Sequence, residues 1–433
     1  MSRRAQPIER LEGRVLLSAA IVHRTLRIIG TAQDDQIDLQ TDGATTTVNL
    51  GHGQSRQFSN TDFDNISIDS GKGNDTVAIS DDLLNPATID GGEGDDSLKG
   101  GGGDDVLIAG LGNDTLAGGG TAHEPGGINT ADYSARTEAI TVRYYGNLTT
   151  ASGEHDSFGL GSNIQRLFSG SGDDSLWTFA NYPGDITYVD AGGGNDDVDM
   201  HVGGYVGSAT AHGGAGNDYI YMTGSRIVYY GDEGDDTFSI LRSEYMAREF
   251  FGGPGIDTVD YSPSGALPIQ VSFDDIANDG YYLQYLPDNV HTDVERVIGP
   301  SSGITVIGSD NDETMIGNGG YDSLVGGGGN DYLESNDHNR YVAPRSTLIG
   351  GAGDDTVFGG DGNDLIHGGP GNDYIDCGAG DDTAFGDEGD DTLIGGAGSD
   401  VLDGGPGDNV IIDDFALQSP REITMAQLIS ELR

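Results

Sequence analysis

The chain has little that would cross-link it, anchor it or attract nucleic acid. It contains one cysteine (Cys377), and its only two lysines are Lys72 and Lys99. One thiol cannot form an internal disulfide, so something else must hold the chain together. With 72 acidic against 20 basic residues, the net charge is −52 and no basic surface is expected for phosphate binding. The sequence therefore predicts no nucleic-acid partner. No apolar run approaches the roughly 18 residues of a membrane-spanning helix, so no transmembrane segment is predicted either.

What the chain has in quantity is glycine, 74 of its 433 residues, and the glycines are periodic. Residues 350–412 divide without a gap into seven nonapeptides of the pattern G-G-x-G-x-D-x-U-x, where U is apolar. The nonapeptides read GGAGDDTVF, GGDGNDLIH, GGPGNDYID, CGAGDDTAF, GDEGDDTLI, GGAGSDVLD and GGPGDNVII. A period this strict indicates an architecture of stacked repeats.

Each part of the nonapeptide suggests a physical role. The glycines allow a tight turn with positive φ and leave carbonyl oxygens pointing inward. The Asp at position six adds an anionic oxygen, and x-U-x alternates as a short strand does. One such strand buries almost nothing, so a core requires neighbours above and below. Turns lined only by oxygen suit Ca²⁺, which accepts six to eight oxygen ligands.

The seven nonapeptides resemble those of the haemolysin-type, repeats-in-toxin calcium-binding family. The resemblance implies an all-β fold, a right-handed parallel β-roll or β-solenoid with two nonapeptides per turn and with insertions. It also implies Ca²⁺ ions held between turns stacked on one edge, by the Asp at position six and by carbonyl oxygens. The expected aspartate ligands are Asp75, Asp96, Asp105, Asp114, Asp218, Asp236, Asp322, Asp331, Asp355, Asp364, Asp373, Asp382, Asp391 and Asp400. The expected turn glycines are Gly351, Gly353, Gly360, Gly362, Gly369, Gly371, Gly378, Gly380, Gly389, Gly396 and Gly398.

The repeats also organise the rest of the chain. Clean tandem copies occur at 91–120 and 308–334, and the main roll occupies 350–412. Region 21–90 is expected to be a β-rich cap with degenerate repeats, because a solenoid must cover its first turn. Region 121–307 contains an internal duplication, in which Ala131-Asp132-Tyr133-Ser134 matches Val259-Asp260-Tyr261-Ser262, and single repeats that predict turns on one edge only. Residues 335–349 are an insertion and 413–433 a C-terminal cap or tail.

The first 20 residues differ from the rest in carrying more bases than acids. The string from Ile8 to Ala19 resembles the LEPR-XLL leader found on large, repetitive proteins of planctomycete bacteria. The resemblance implies export, and therefore a secreted or cell-surface bacterial protein that meets extracellular calcium. An unstructured or helical N-terminal arm is the alternative for this segment.

The repeats extend from Gly30 to Ile412, which leaves little room for a separate catalytic region. We therefore expect no catalytic residues and a structural or adhesive role, with surface polysaccharide or other surface proteins as possible partners. The alternative is a carbohydrate-processing enzyme or toxin-related protein that uses the repeats for export. For such an activity the tyrosine-rich stretch 281–285 is the best candidate surface.

Overall fold

The structure is a computed structural model. It describes residues 17–51, 53–121, 124–125, 127–143, 147–158, 163–180, 182, 185–203, 207–224, 226–240, 247–264, 268–281, 288–336 and 345–413. Most of the leader-like segment (1–16), the tip of the insertion (337–344), the tyrosines at 282 and 285, and the tail (414–433) lie outside the described residues. The chain divides into two compact units, one formed by Met1–Ser239 with Met246–Gly255 and the other by Ile240–Tyr245 with Ile256–Arg433.

In the first unit the described residues form 26 short strands. They are β1 Ser18–Val22, β2 Thr25–Thr31, β3 Gln36–Thr41, β4 Thr45–Asn49, β5 Ser55–Ser59, β6 Asn65–Gly71, β7 Thr76–Ile79, β8 Ala87–Asp90, β9 Ser97–Lys99, β10 Val106–Ile108, β11 Thr115–Ala117, β12 Gly120–Thr121, β13 Glu124–Pro125, β14 Thr130–Asp132, β15 Ile140–Arg143, β16 Asn147–Thr150, β17 His155–Ser157, β18 Arg166–Phe168, β19 Ser175–Ala180, β20 Tyr188–Asp190, β21 Asp197–Val202, β22 Ala209–Ala215, β23 Tyr219–Thr223, β24 Ile227–Glu233, β25 Thr237–Ser239 and β26 Arg248–Phe251.

Two sheets run the length of this unit. Sheet 1 has the order β1-β2-β6-β8-β10-β14-β18-β20-β22-β24-β26, and after the antiparallel β1–β2 pair its pairings are parallel. In sheet 2, β3 begins an antiparallel meander with β4 and β5, and β3, β7, β9 and β11 then pair in parallel. Parallel strands that alternate between two sheets along the chain form a solenoid. The antiparallel strands β4 and β5 lie beside its first turn.

Within the described part of the second unit there are 17 strands and one turn of 3₁₀ helix, at Ser262–Ser264. The strands are β27 Thr258–Asp260, β28 Ile269–Ser272, β29 Gly280–Tyr281, β30 Asn289–Val290, β31 Arg296–Ile298, β32 Ile304–Ile307, β33 Thr314–Ile316, β34 Ser323–Gly328, β35 Tyr332–Glu334, β36 Thr347–Ala352, β37 Thr356–Phe358, β38 Leu365–Pro370, β39 Tyr374–Asp376, β40 Thr383–Glu388, β41 Thr392–Ile394, β42 Val401–Asp403 and β43 Val410–Ile412.

These strands also form two stacks. Sheet 3 runs in parallel through β27, β31, β33, β35, β37, β39, β41 and β43. Sheet 4 runs in parallel through β28, β32, β34, β36, β38, β40 and β42, with β29 antiparallel on β28. In the main roll each strand pairs with the one 18 residues later, so that two nonapeptides make one turn.

The core of the roll is formed by the apolar residue at position eight. Val357, Ile366, Ile375 and Leu393 are 0% exposed, while their neighbours on each strand point outward. The same alternation is present in the first unit, where strands such as β9 and β11 bury only their central leucine. Each turn contributes one buried side chain per strand, so stacking of turns creates the core. The predicted all-β parallel solenoid is confirmed. No helix in the described parts of the chain is long and apolar enough to cross a membrane.

Candidate metal centre

The turns between strands have the backbone that their glycines predict. All eleven glycines expected to form turns in the main roll have positive φ values. At Gly369, with φ of 118°, a Cβ would lie 1.9 Å from the carbonyl oxygen of Gly351 in the preceding turn. The turns therefore approach one another so closely that only glycine fits at this position.

The aspartates at position six form continuous columns across the turns. In the second unit the Oδ1 atoms of Asp355, Asp373 and Asp391 each accept the backbone N–H of the position-six residue one turn earlier, at 2.7–3.0 Å. Asp364, Asp382 and Asp400 form a second column on the other edge, at 2.7–3.0 Å. Asp331 joins the first column and Asp322 the second. The expectation of turns on one edge is thus wrong for the main roll, because alternate nonapeptides turn at opposite edges.

The first unit repeats this arrangement. Its columns, with N–H···Oδ1 distances of 2.7–2.8 Å, are Asp75, Asp96, Asp114 and Asp156, then Asp174, Asp196, Asp218 and Asp236. Asp105 lies on the opposite edge, where Asn129 and Gln165 continue the ladder with amide oxygens. From Asp174 to Asp236 the aspartate turns lie on one edge, as predicted for this region.

The second carboxylate oxygen of these aspartates is directed at other oxygens. At Gly350, the position of a Cβ would lie 2.3 Å from Oδ2 of Asp355 and 2.6 Å from the carbonyl oxygen of Gly368. Gly368 and Gly386 repeat this pattern with their own aspartates and with the next turn's carbonyl. Buried Oδ2 atoms that receive no hydrogen bond from the described residues belong to Asp96, Asp114, Asp196, Asp218, Asp355, Asp373, Asp382, Asp391 and Asp400. Buried anionic and carbonyl oxygens that converge in this way are stable only with a cation among them or with a proton on the carboxyl.

The last turn supplies a natural comparison, because Asn409 replaces the aspartate. Its Oδ1 still accepts the N–H of Asp391 at 2.7 Å, so the column is intact. Its Nδ2 donates to the carbonyl oxygens of Gly404 and Gly405, at 2.7 and 3.1 Å. The amide N–H groups of Asn409 therefore bind carbonyl oxygens that a carboxylate would repel. Oδ2 of the aspartates in the other turns occupies the position of this Nδ2.

Burial makes these carboxyls reluctant to ionise without a cation. Desolvation, with repulsion from neighbouring aspartates, raises the pKa of Asp373 and Asp382 from 3.8 to about 7, although the backbone N–H that each carboxylate accepts lowers it. For the same reasons the pKa of Asp114 and Asp331 rises to about 8. A bound divalent cation would oppose both effects, since it replaces lost hydration and separates the negative charges.

Position five, which the repeat pattern leaves open, carries a second ladder. Asn330 Oδ1 accepts the N–H of Asp354, and Asp354 Oδ1 accepts the N–H of Asn372, at 2.8 and 2.7 Å. Asn372 continues to Asp390 at 3.0 Å. Aspartate and asparagine alternate from Asn330 to Asp390 along the exposed side of the turns, which keeps like charges apart there, whereas the last contact joins two aspartates, Asp390 and Asp408. The sequence contains this signal as the recurring N-D and D-D pairs.

Several members of the columns were not among the expected ligands. Asp174 and Asp196 follow degenerate glycine loops and can be found from the pattern G-x-G-x-D. Asp156 follows no glycine loop, and only a hairpin brings it beside Asp114. Glu313 occupies position six, with its backbone N–H bound to Asp331 Oδ1. Cys377, at position one beside Asp382, is buried and its pKa is raised by burial, which agrees with a role as a small turn residue.

The donor set fits Ca²⁺. Among the residues that the structure describes, no three His, Cys, Asp or Glu side chains form a metal-binding group. A cation in these turns would therefore be held by aspartate Oδ2 atoms together with backbone carbonyls, an all-oxygen environment typical of calcium. The fold and the turns thus define a parallel β-solenoid whose edges are suited to calcium.

The repeats themselves belong to a known family. The family model of the RTX calcium-binding nonapeptide repeat (4 copies) matches residues 88–120, 204–221, 307–337, 346–375 and 376–411. The chain therefore carries RTX calcium-binding repeats, in both units, and the resemblance of its nonapeptides to this family is confirmed. No curated protein shows significant similarity to the chain.

Proposed function

We propose that this protein is an exported calcium-binding β-roll that folds when it meets extracellular calcium, and that it has a structural or adhesive role without catalysis. The observation that carries the proposal is the set of buried Oδ2 atoms facing carbonyl oxygens in successive turns. The ligands would be the position-six aspartates with the carbonyls of the adjoining turns.

Charge supports the coupling of folding to calcium. The chain has a net charge of −52, and its columns hold carboxylates one turn apart. Without a cation these groups repel one another or must be protonated. Ligand that binds only the folded state stabilises it by mass action, and adjacent sites add their effects.

Export follows from the same affinity. Extracellular calcium modules have dissociation constants of roughly 10⁻⁴–10⁻³ M. Cytosolic calcium would leave such a chain unfolded and able to pass an export machine, and folding would follow outside the cell. The resemblance of residues 8–19 to an export leader agrees with this route. We propose surface polysaccharide or other surface proteins as the partners of the folded roll.

The test is a calcium titration of the full chain followed by far-UV circular dichroism, with magnesium as the control ion. We expect little β-signal in chelator and a cooperative gain in the millimolar range of calcium, but not of magnesium. An unchanged β-signal between chelator and saturating calcium would refute calcium-coupled folding. Turnover of polysaccharides by the calcium-loaded protein would refute the absence of catalysis.

A further inference from the structure

One turn in the first unit departs from the regular stack. Strands β16 and β17 are inserted between β15 and β11 in sheet 2, whereas in sheet 1 β14 stands alone between β10 and β18. The turn at 133–140 therefore lies next to the turn at 109–114 on one face and is separated from it by two strands on the other. The two turns diverge, and a wedge opens between them.

A single arginine fills this wedge. Arg136 Nη2 donates to the carbonyl oxygen of Gly110, and Nη1 lies 3.3 Å from Glu138 Oε1 and 2.8 Å from Glu154 Oε2. The arginine side chain is only 11% exposed. Its charge also lowers the pKa of Asp114 and Asp156, against the stronger effect of burial.

In regular turns, the carbonyl at the position of Gly110 has a different hydrogen-bond partner. The corresponding carbonyls of Gly71 and Gly92 accept the backbone N–H of the residue at position three of the next turn, at 3.0 and 2.6 Å. At Gly110 the guanidinium takes that place. On its other side, the carbonyl oxygen of Arg136 accepts the N–H of Ser171 at 3.0 Å, as a position-two residue should. Arg136 thus connects the turn of Asp114, in the first stack, with the turn of Asp174, which begins the second stack.

We infer that Arg136 is a built-in cation that takes the place of a calcium ion at this junction, so that the two stacks are joined without calcium. This inference rests on the proposed calcium-dependent folding. The guanidinium offers what a calcium ion would offer there, which is positive charge and several directed contacts to a carbonyl oxygen and to carboxylates. It differs in being covalently attached, so the junction is independent of calcium concentration.

The internal duplication shows that the spacer does not require an arginine for its own fold. Arg136 donates its backbone N–H to Tyr133 O at 2.9 Å, and Ser264 donates to Tyr261 O in the same way at 2.9 Å. The second copy therefore has the same local turn with a serine. The arginine of the first copy is therefore specific to the junction and is not required by the local turn of the spacer.

The full-length chain contains a suitable probe, since its one tryptophan, Trp177, lies on β19 directly after the junction. We would titrate calcium while following Trp177 fluorescence and count bound ions by calorimetry. The variants are Arg136→Ala, Arg136→Lys and, as a matched control, Arg166→Ala. Arg166 is exposed and lies 5.7 Å above the ring of Tyr188, so its removal changes the charge equally without touching the wedge.

We expect Arg136→Ala to raise the calcium midpoint of the Trp177 signal about tenfold, because loss of one partner of a mostly buried charge cluster weakens the junction substantially. It should also bind one more calcium ion than the wild type, since the wedge keeps its carboxylates. Arg136→Lys should restore the midpoint to within about threefold, and Arg166→Ala should leave it unchanged.

A midpoint that does not move in Arg136→Ala, or that moves equally in Arg166→Ala, would overturn the inference. A raised midpoint with an unchanged ion count would show that Arg136 only packs the turn, and would also overturn it. Arg136→Gln is a second neutral variant. If neither neutral variant folds at any calcium concentration, calcium cannot replace the arginine, and the inference is overturned. A wild-type chain whose folding ignores calcium would refute the proposed function instead.

Discussion

The substitution Asp373→Asn tests the reasoning about the turns most directly. Asp373 Oδ1 accepts the N–H of Asp355 at 2.9 Å, and its Oδ2 is buried beside the carbonyl oxygens of the turn. An asparagine can keep the first contact and turn its Nδ2 toward the carbonyls, as Asn409 does. We therefore expect the variant to lose calcium and, in the absence of calcium, to be more stable than the wild type.

The magnitude follows from the pKa of Asp373, which burial raises from 3.8 to about 7. Below pH 3.8 the carboxyl is protonated in both the folded and the unfolded state, so its raised pKa does not destabilise the fold. The destabilisation grows as the pH rises and is complete once the pH exceeds the folded-state pKa. At pH 8 the ceiling is about 4 kcal/mol. Solvent screening near the surface reduces this to about 1–2 kcal/mol. Asparagine removes that cost and adds a hydrogen bond worth about 1 kcal/mol.

The assay is amide hydrogen exchange of the strand β39 at pH 8 in chelator, with enough sucrose to restore the β-signal of both proteins before exchange is measured. Together these two effects give a gain of about 2–3 kcal/mol, which slows exchange roughly 30–150-fold. Calorimetry in calcium should show one or two fewer ions, because neighbouring turns share them. The control is Asp376→Asn, which removes the same charge from the outward-facing end of β39. Exchange as fast as in the wild type, or an unchanged ion count, would refute the reasoning.

Three further predictions follow from the columns and turns. In chelator, lowering the pH from 8 to 5 should increase the β-signal, because buried carboxyls with a pKa of about 7–8, such as those of Asp373 and Asp331, bind protons more tightly in the folded state. Stability therefore falls as the pH rises through that range, and a circular-dichroism signal that does not change with pH would contradict this. Gly369→Ala should abolish calcium-induced folding of the roll, whereas Gly43→Ala should lower the free energy of unfolding by only about 1 kcal/mol, because no atom lies within 4 Å of the added Cβ. Urea midpoints measured in calcium would show the difference. The isolated fragment 308–433 should fold with calcium while fragment 121–307 should not, and the reverse result in the same titration would show that the stability lies elsewhere.

The sequence predicted the regular part of the fold well because one physical rule operates in every nonapeptide. Glycine, aspartate and one apolar residue specify turn, column and core, so the main roll and its ligand candidates could be read directly. Alternate turns face opposite edges, however, since each nine-residue unit completes only half of a turn. A repeat pattern does not show on which side the chain turns.

The places where the sequence was less informative are those where contacts join distant segments. Asp156 belongs to its column only because β15, β16 and β17 fold back on one another. The duplicated segment around Arg136 does not single out the arginine, since its second copy has Ser264 at that position, and the importance of Arg136 appears only when Gly110 and Glu154 are brought beside it. Such residues are specified by tertiary packing, which local periodicity does not encode.

The aspartate columns also determine how the protein can change in length. The N–H···Oδ1 contact between successive turns is 2.7 Å where 18 residues separate Asp364 from Asp382, and 2.8 Å where 42 separate Asp114 from Asp156. The contact is insensitive to how much chain lies between its two ends. Sequence can therefore be inserted or deleted between turns as loops or hairpins, and the spacing of the edge is preserved. The length of each stack is set by the number of its turns rather than by the number of its residues.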